Sequence, residues 1–456
     1  MQSNKQVDIS VLKGDKLFNE NTPFIINFSF PDVDINNKRC NTDLICIIDS
    51  SRSMNGNKIY QVKKSLKILV DLMDQNDRLA LITFNRKSNT FFNLEYMTEK
   101  NKIFLKQEID LIKTDRGTNI LSGLKNAVDI LKEEQKQNNK ERVSSVILLS
   151  DGCDNHYNDL QLADSLKKLT KGFELSFTLH TFGYGYDYDI KIMKKLASLR
   201  DGSFYFVEHY NKVSEYFASV LGGCISVVSK KSELNVKLLK NSCKIVKILG
   251  EEYLYEYKLN DDNFKTTLLQ IIYGKEYSFV LEIKIDENDI KIGEELLSID
   301  FIYEDIFNNN IINTNFKYKY ELKSLDYIKA NEEYICSKVY SILEEVMKLN
   351  EKGQKCKAKI LLNQMRNWLK NNYKGNNKNL MVDVDKCYDI FKNDLSLANN
   401  SVMYISSEIM QNQYKKQGSN LNFSNDIQKN LIKSVNTMNN PFFKYKNDFH
   451  NNFNFK

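Results

Sequence analysis

Five oxygen-bearing side chains in the first third of the chain could together hold a metal ion. Asp49, Ser51 and Ser53 form an Asp-x-Ser-x-Ser motif directly after the short apolar run 44–48. Thr118 lies in a Gly-Thr-Asn segment that precedes a helical pattern, and Asp151 lies in a Ser-Asp-Gly segment that follows another apolar run. Oxygen ligands without His or Cys suit Mg²⁺, which prefers near-octahedral geometry at about 2.0 to 2.1 Å.

The charges of this ligand set leave room for an external ligand. Two carboxylates balance the two positive charges of Mg²⁺, and three neutral hydroxyls fill further positions, so a sixth position stays electrophilic. Such a position favours a carboxylate from outside, namely an Asp or Glu of a partner protein. A Ca²⁺ site typically uses more carboxylates and carbonyls, so the set favours Mg²⁺.

Each segment also has an ordinary interpretation when it is taken alone. Asp49 could cap the helix that follows it, and the other two segments could be common turns and caps. Their placement joins them, because each lies at or beside the end of a predicted strand in one α/β unit. The carboxyl ends of parallel strands meet at one edge of a sheet, where ligands bind in such folds.

The elements that must position these residues alternate between strand and helix. Strands are predicted at 44–48, 78–85, 143–149, 175–182 and 203–207. Helical periodicity is present at 59–73, 120–131, 160–169, 191–199 and 213–221. The strands are too apolar to alternate, which indicates a doubly wound, mostly parallel sheet covered on both faces.

The flanking sequence has a different periodicity. Polar and apolar residues alternate at 7–11 and 24–30, and again at 234–238, 253–257, 277–285 and 297–303, which predicts a β-sandwich. Two strands alone are marginal in water, so the N-terminal pair is expected to join the later strands and make the α/β unit an insertion. Helices are predicted at 327–347, 360–369 and 380–391, with Trp368 in their core.

These patterns predict an α/β fold inserted in or flanked by a β-sandwich, followed by a helical region. The predicted organisation has five parts: N-terminal strands of the sandwich (1–40), the α/β domain (41–225), the β-sandwich (226–322), a helical region (323–416) and a largely disordered Asn-rich tail (417–456).

The order and placement of the three segments match the metal-ion-dependent adhesion site of von Willebrand factor type A domains, which residues 43–225 resemble. The segments 181–189, with Gly-x-Gly-x-Asp-x-Asp, and 201–207 resemble intracellular type A domains. The strands that follow, with Gly-Lys-Glu-Tyr at 274–277, are similar to the region after the domain in intracellular members of the ubiquitin-ligase type. The resemblance implies that Ser51, Ser53 and Thr118 coordinate the metal directly or nearly so, and that Asp49 and Asp151 act directly or through waters. Those relatives carry a zinc-binding RING domain. This sequence has no series of Cys and His residues with RING spacing, so ubiquitin transfer is not implied.

Arg52 departs from the family pattern, which commonly has Gly or another small residue at this position. Its guanidinium could occupy the neighbourhood of the open metal position, attract an acidic partner or point to solvent. A further positive charge beside the site opposes cation binding.

The net charge and the cysteine content indicate where the protein is located and which classes of partner it binds. The 65 basic and 59 acidic residues leave a net charge of +6 without a basic block that would indicate nucleic-acid binding. The eight cysteines show no Cys-x-x-Cys pair, which favours reduced thiols and a cytoplasmic protein. The first ten residues lack a signal-peptide pattern, and no apolar run reaches the roughly 18 to 20 residues that span a bilayer.

The sequence therefore favours a non-enzymatic module that binds an acidic partner residue through Mg²⁺. A metal-assisted phosphoester hydrolase and a scaffold with a vestigial metal site remain alternatives. No phosphate-binding loop is present, Gly183-x-Gly185 lacks the third glycine of a dinucleotide fingerprint, and Cys153 has no base placed beside it by sequence. His156 is expected in a solvent-facing loop and His180 in the core, and the oligomeric state stays open.

Overall fold

The structure is a computed structural model of the 456-residue chain. It describes residues 7–30, 39–136, 142–151, 154–172, 176–184, 190–207, 212–250, 254, 256–322, 326–373, 378–393 and 425–439. The chain forms two compact units. The α/β unit comprises 32–188, 205–227 and 424–456, and the sandwich unit comprises 1–31, 189–204 and 228–423.

A six-stranded sheet is the centre of the α/β domain. Its strands, in chain order, are β3 (Thr42–Asp49), β4 (Arg78–Phe84), β5 (Ser88–Tyr96), β6 (Val143–Ser150), β7 (Phe177–Tyr184) and β8 (Phe204–Val207). The spatial order is β5-β4-β3-β6-β7-β8. β4, β3, β6 and β7 are parallel, whereas β5 pairs antiparallel with β4 at the edge. The predicted doubly wound, mostly parallel sheet is confirmed.

A short turn joins β4 to β5, and helices follow the other strands along the chain: α1 (Asn57–Leu72), α2 (Glu99–Leu111), α3 (Ile120–Lys136), α4 (Asp159–Leu169), α5 (Ile190–Ser198) and α6 (Val213–Ile225). Every residue of β3, β4 and β6 is buried, as expected for strands covered on both faces. The sequence did not predict β5 and α2. Only one of the nine residues of β5 is buried, and α2 buries only Leu105 and Ile109, so neither has a strong apolar period.

The Asn-rich tail contains a helix where disorder was predicted. This helix, α10 (Asp426–Asn439), packs on α6 in the α/β unit. Gln428 donates a hydrogen bond to the carbonyl oxygen of Ser219 (2.7 Å), and the side chains of Ile432 and Val435 are buried. Asn and Lys surround this short apolar face in the sequence and obscure its period. The rest of the tail prediction lies outside the described residues.

The sandwich unit contains two antiparallel sheets. One has the order β1-β2-β15-β11 and the other β12-β13-β10-β16-β17, while β9 and β14 form a small pair. The strands are β1 (Asp8–Lys13), β2 (Thr22–Ser29), β9 (Val227–Ser229), β10 (Ser232–Leu238), β11 (Lys244–Leu249), β12 (Glu256–Leu259), β13 (Asn263–Leu268), β14 (Ile271–Ile272), β15 (Glu276–Lys284), β16 (Glu295–Glu304) and β17 (Ile311–Lys319).

The N-terminal strands join this unit, because β2 pairs with β15 although the two are far apart in the sequence, from Ser29–Glu276 to Thr22–Ile283. The fold class is therefore confirmed as an α/β domain inserted in a β-sandwich. One face of β2 and β15 packs on the second sheet, where the rings of Phe28 and Phe301 are 4.7 Å apart. Their other face contacts helix α7 (Tyr327–Glu351), so both strands are buried except at their ends.

The helical region contains α7 (Tyr327–Glu351), α8 (Lys355–Asn372) and α9 (Lys378–Asn393). Trp368 was predicted in the core but is only half-buried, where it contacts Phe18 of the N-terminal segment with ring centroids 4.3 Å apart. No helix in the described ranges is both long and apolar enough to cross a bilayer. The seven cysteines within those ranges are free thiols.

Candidate metal centre

The ends of β3 and β6 place two carboxylates side by side. β3 and β6 are adjacent and parallel, and Ile48 pairs with Leu149, so Asp49 and Asp151 leave the sheet at the same edge. After β3 the chain forms a 3-10 turn at Arg52–Met54 and then enters α1. This tight turn keeps the two motif serines, Ser51 and Ser53, beside the end of β6.

Three of the five predicted ligands form a continuous chain of oxygen atoms. The hydroxyl oxygens of Ser51 and Ser53 are 2.9 Å apart, and the Ser53 hydroxyl donates to Oδ1 of Asp151 at 2.7 Å. Neighbouring ligands of an octahedral Mg²⁺ ion, each at about 2.0 to 2.1 Å, are about 2.9 Å apart. The spacing and chemistry of these oxygens therefore fit a small, hard cation.

Asp49 lies beneath this chain and is completely buried. Its Oδ1 accepts the backbone N–H of Ser51 at 2.7 Å, and its Oδ2 accepts the hydroxyl of Ser150 at 2.5 Å. Burial raises the pKa of Asp49 to about 6, although the hydrogen bonds from Ser150 and Ser51 oppose the shift. In this position the carboxylate orients the motif and adds negative charge under the hydroxyls.

Thr118 reaches the same edge on the loop before α3. The loop is attached to the motif by a bridge between Ser51 and Asp115, and the Asp115 N–H donates to the Ser50 carbonyl at 2.8 Å. Thr118 is buried, and its backbone exchanges two hydrogen bonds with Asn155. Among the described residues, no side-chain hydrogen bond joins Thr118 to the other four predicted ligands.

Asp154 fixes this loop, a role that the sequence did not predict. Its Oδ2 accepts the N–H of Ile120 at 2.6 Å, and its Oδ1 accepts the N–H groups of His156 and Tyr157 at 2.7 and 2.8 Å. The carboxylate thus joins the start of α3 to the loop after β6. The three Asp or Asn residues in the segment 151–155 could have indicated a turn in which a side chain accepts backbone N–H groups.

Lys58 is the second residue that sequence reasoning missed. It lies in the first turn of α1, and its ammonium contacts Oδ2 of Asp151, so both oxygens of that carboxylate have partners. Its position five residues after Ser53 could have suggested this contact, because the first turn of α1 must lie beside the preceding loop. Arg52, by contrast, is exposed and makes no ion pair within the described part of the chain.

The remaining candidates have other roles. His156 is exposed, as predicted, and His180 is buried with a contact to the hydroxyl of Thr178 at 3.2 Å. Cys153 lies outside the described residues. Within the described ranges, no three His, Cys, Asp or Glu side chains are grouped to hold a metal, so a cation at this edge would depend on hydroxyl oxygens.

Comparison with known families supports this architecture. The family model of the von Willebrand factor type A domain matches residues 43–219. An uncharacterized protein of Synechocystis sp. is 27% identical over 184 residues, which are 40% of this chain and 42% of that protein. Mouse inter-alpha-trypsin inhibitor heavy chain H2 is 30% identical over 163 residues, 35% of this chain and 17% of that protein. The chain thus spans less than half of these relatives.

Two solved structures share the fold over most of the chain. A von Willebrand factor type A protein from Catenulispora acidiphila has a TM-score of 0.65 at 12% identity and covers 91% of this chain and 98% of its own. The ArnB paralog VWA2 from Sulfolobus acidocaldarius has a TM-score of 0.54 at 17% identity, over 88% and 99%. Domains of this type are protein-interaction modules that often carry a metal-ion-dependent adhesion site.

Proposed function

Since residues 43–219 are a von Willebrand factor type A domain, we propose that this chain is a non-enzymatic module that binds an acidic side chain of a protein partner through Mg²⁺. Asp49, Ser51, Ser53, Thr118 and Asp151 would hold the cation. The observation that supports the proposal best is the 2.9 and 2.7 Å spacing of the oxygens of Ser51, Ser53 and Asp151.

The serines and the aspartates of the site would have different roles in binding the cation. Ser51 and Ser53 offer neutral oxygens, and Asp151 and the buried Asp49 supply the negative charge that attracts the ion. A bound divalent cation would supply an electrophilic position for an incoming carboxylate. Lys58 must leave Oδ2 of Asp151 before that oxygen can face a cation, which makes this lysine a competitor of the metal.

A cytoplasmic location and a partner of protein character are part of the proposal. The partner would present an Asp or Glu on an accessible segment, because the Ser53 side of the site is exposed while Asp49 and Ser51 are buried. No role for nucleic acid is proposed.

The test is capture of partners by the immobilised full chain with Mg²⁺ or with EDTA. We expect a partner that is retained with Mg²⁺ and released by EDTA, and that is lost when Asp151→Asn replaces the wild type. Asp110→Asn is the matched control, because Asp110 is an exposed carboxylate on α2 of the same unit. Substituting the acidic residues of the retained partner, one at a time, should identify the residue that completes the site. If the partner is retained equally well in EDTA and by Asp151→Asn, metal bridging is contradicted.

A further inference from the structure

Four exposed basic residues border the candidate metal centre. They are Arg52 of the 3-10 turn, Arg86 and Lys87 of the turn between β4 and β5, and Arg116 of the loop before α3. We refer to these four residues as the basic rim. They come from three separate loops of the α/β unit, so the sequence alone does not group them.

Backbone hydrogen bonds hold the three loops together. The N–H of Ser50 donates to the carbonyl of Phe84, and the N–H of Asn119 donates to the carbonyl of Asn85, both at 2.8 Å. The loop before α3 is also bound to Ser50 through Asp115. The side chain of Arg86 lies directly against Gly117: a Cβ atom added at Gly117 would be 2.4 Å from the Cγ atom of Arg86. The three loops that carry the basic rim are therefore joined to one another at the edge of the sheet where Asp49 lies.

The charges of the basic rim are not neutralised within the described residues, where none of the four side chains forms an ion pair. Other surface lysines of the same unit do have partners, for example Lys67 with Asp110 and Lys106 with Asp71. The one exposed carboxylate on the rim loops that the structure describes is Asp115, whose Oδ1 accepts the N–H of Arg116.

From this surface we infer that the partner segment carries further Asp or Glu residues beside the one that binds the metal, and that the basic rim binds them. The inference rests on the proposed function and specifies its ligand as an acidic, multiply charged peptide segment. Guanidinium groups suit carboxylates because they bind them bidentately, and unpaired cations around a site steer anionic ligands towards it. Exposed charge pairs are screened by salt, so this contribution should fall as ionic strength rises.

The same charges predict an opposite effect on the cation. Four positive groups beside the site repel a divalent ion, and an acidic partner relieves this repulsion when it binds. Removing the basic rim should therefore weaken binding of the acidic peptide but tighten binding of Mg²⁺ by itself. By linkage, the acidic peptide should raise the affinity for Mg²⁺ more in the wild type than in the variant.

The experiment compares two fluorescent peptides on the full chain in Mg²⁺ at low and high salt. One peptide carries a single Asp among Gly and Ser, and the other adds four flanking Glu residues. The rim variant is Arg52→Ala, Arg86→Ala, Lys87→Ala and Arg116→Ala together. Its matched control removes four exposed cations elsewhere in the same unit, with Lys64→Ala, Lys100→Ala, Lys167→Ala and Lys168→Ala.

We expect the wild type to prefer the Glu-flanked peptide about tenfold at low salt, with the preference lost in the rim variant and kept in the control. Calorimetry should show tighter Mg²⁺ binding by the rim variant. Equal preference in wild type and rim variant would overturn the inference. It would also be overturned if heparin bound the basic rim more tightly than the Glu-flanked peptide and displaced it. If neither peptide depends on Mg²⁺ but the Glu-flanked preference follows the rim, the proposed metal bridging fails while the basic rim stands.

Discussion

The ammonium of Lys58 contacts Oδ2 of Asp151, while the hydroxyl of Ser53 donates to the Oδ1 atom of the same carboxylate. A side chain from the first turn of α1 thus holds a positive charge where the metal hypothesis requires a cation. The Asp151 side chain is buried and that of Lys58 is 28% exposed, so the contact is only partly screened by water. Metal binding and the lysine contact must compete for one oxygen.

Replacing Lys58 should therefore strengthen metal binding. We expect Lys58→Met to raise the Mg²⁺ affinity about tenfold, as measured by calorimetry, because the cation no longer displaces a charged hydrogen bond. The same change should lower the melting temperature in EDTA, since it leaves the buried Asp151 carboxylate without its counter-charge. Lys64→Met, at an exposed position of the same helix, is the control and should change neither value. Unchanged Mg²⁺ affinity in Lys58→Met would refute the competition.

Gly117 should be essential for the loop that carries Thr118. It has a φ of +93°, and a Cβ atom there would collide with Arg86. We expect Gly117→Ala to weaken Mg²⁺ binding and to destabilise the protein by roughly 1 to 3 kcal/mol. Gly172→Ala is the matched control, because Gly172 also has a positive φ of +71° but a Cβ atom added there would have no other atom within 4 Å.

Comparing the two glycine variants separates backbone strain from collision. Both lose stability through the positive φ, whereas only Gly117→Ala should lose affinity for the cation. Adding Arg86→Ala to Gly117→Ala should raise the affinity by more than Arg86→Ala does in the wild type, since it also removes the colliding atom. An Mg²⁺ affinity that stays at the wild-type value in Gly117→Ala would show that this loop does not form the site.

A buried ion pair should stabilise the sandwich unit. Glu282 of β15 accepts hydrogen bonds from Tyr334 and Lys338 of α7, both at 2.7 Å. Burial would raise the pKa of Glu282, but these hydrogen bonds and the charge of Lys338 outweigh it and hold the pKa below its usual value. We expect Glu282→Gln to cost about 2 to 3 kcal/mol in urea unfolding, whereas Glu295→Gln, in an exposed pair with Lys317, should cost less than about 1 kcal/mol.

The sign of the pH dependence follows from the lowered pKa of Glu282. Its stabilisation is complete above the pKa of the unfolded chain and is lost as the pH falls through the folded value, below about 4.5. Glu282→Gln should therefore be less sensitive to acid in this range than the wild type. Parallel losses of stability in both proteins would mean that the pair does not contribute.

Helix α10 should depend on its buried face. Val435 is completely buried, whereas the neighbouring Asn436 is exposed. Val435→Asp places a charge in an apolar contact and should release α10, which would raise the rate of amide hydrogen exchange in α6. Asn436→Asp introduces the same residue one position later and should leave that exchange unchanged. Slow exchange of α6 in both variants would contradict the packing of α10 on α6.

The sequence predicted the elements that have a strong apolar period and the site residues that follow them directly. The runs in β3 and β6 are apolar throughout, so their ends, with Asp49 and Asp151, could be placed at one edge of the sheet. The contact of Lys58 with Asp151 was not predicted, because it depends on where the 3-10 turn after β3 places the start of α1 relative to the end of β6. The basic rim was not predicted either, since the loops that carry Arg52, Arg86 and Arg116 are joined only by the pairing of β3 with β4 and by backbone hydrogen bonds of the loop before α3.

Calorimetric titration of the full chain with Mg²⁺ tests the central claim most directly, in the wild type, Asp151→Asn and Asp110→Asn. The proposed site requires saturable binding by the wild type and by Asp110→Asn, with a loss of at least about tenfold in affinity for Asp151→Asn. Binding by Asp151→Asn that equals the wild type, or a wild type that binds no Mg²⁺ at millimolar concentration, would contradict it.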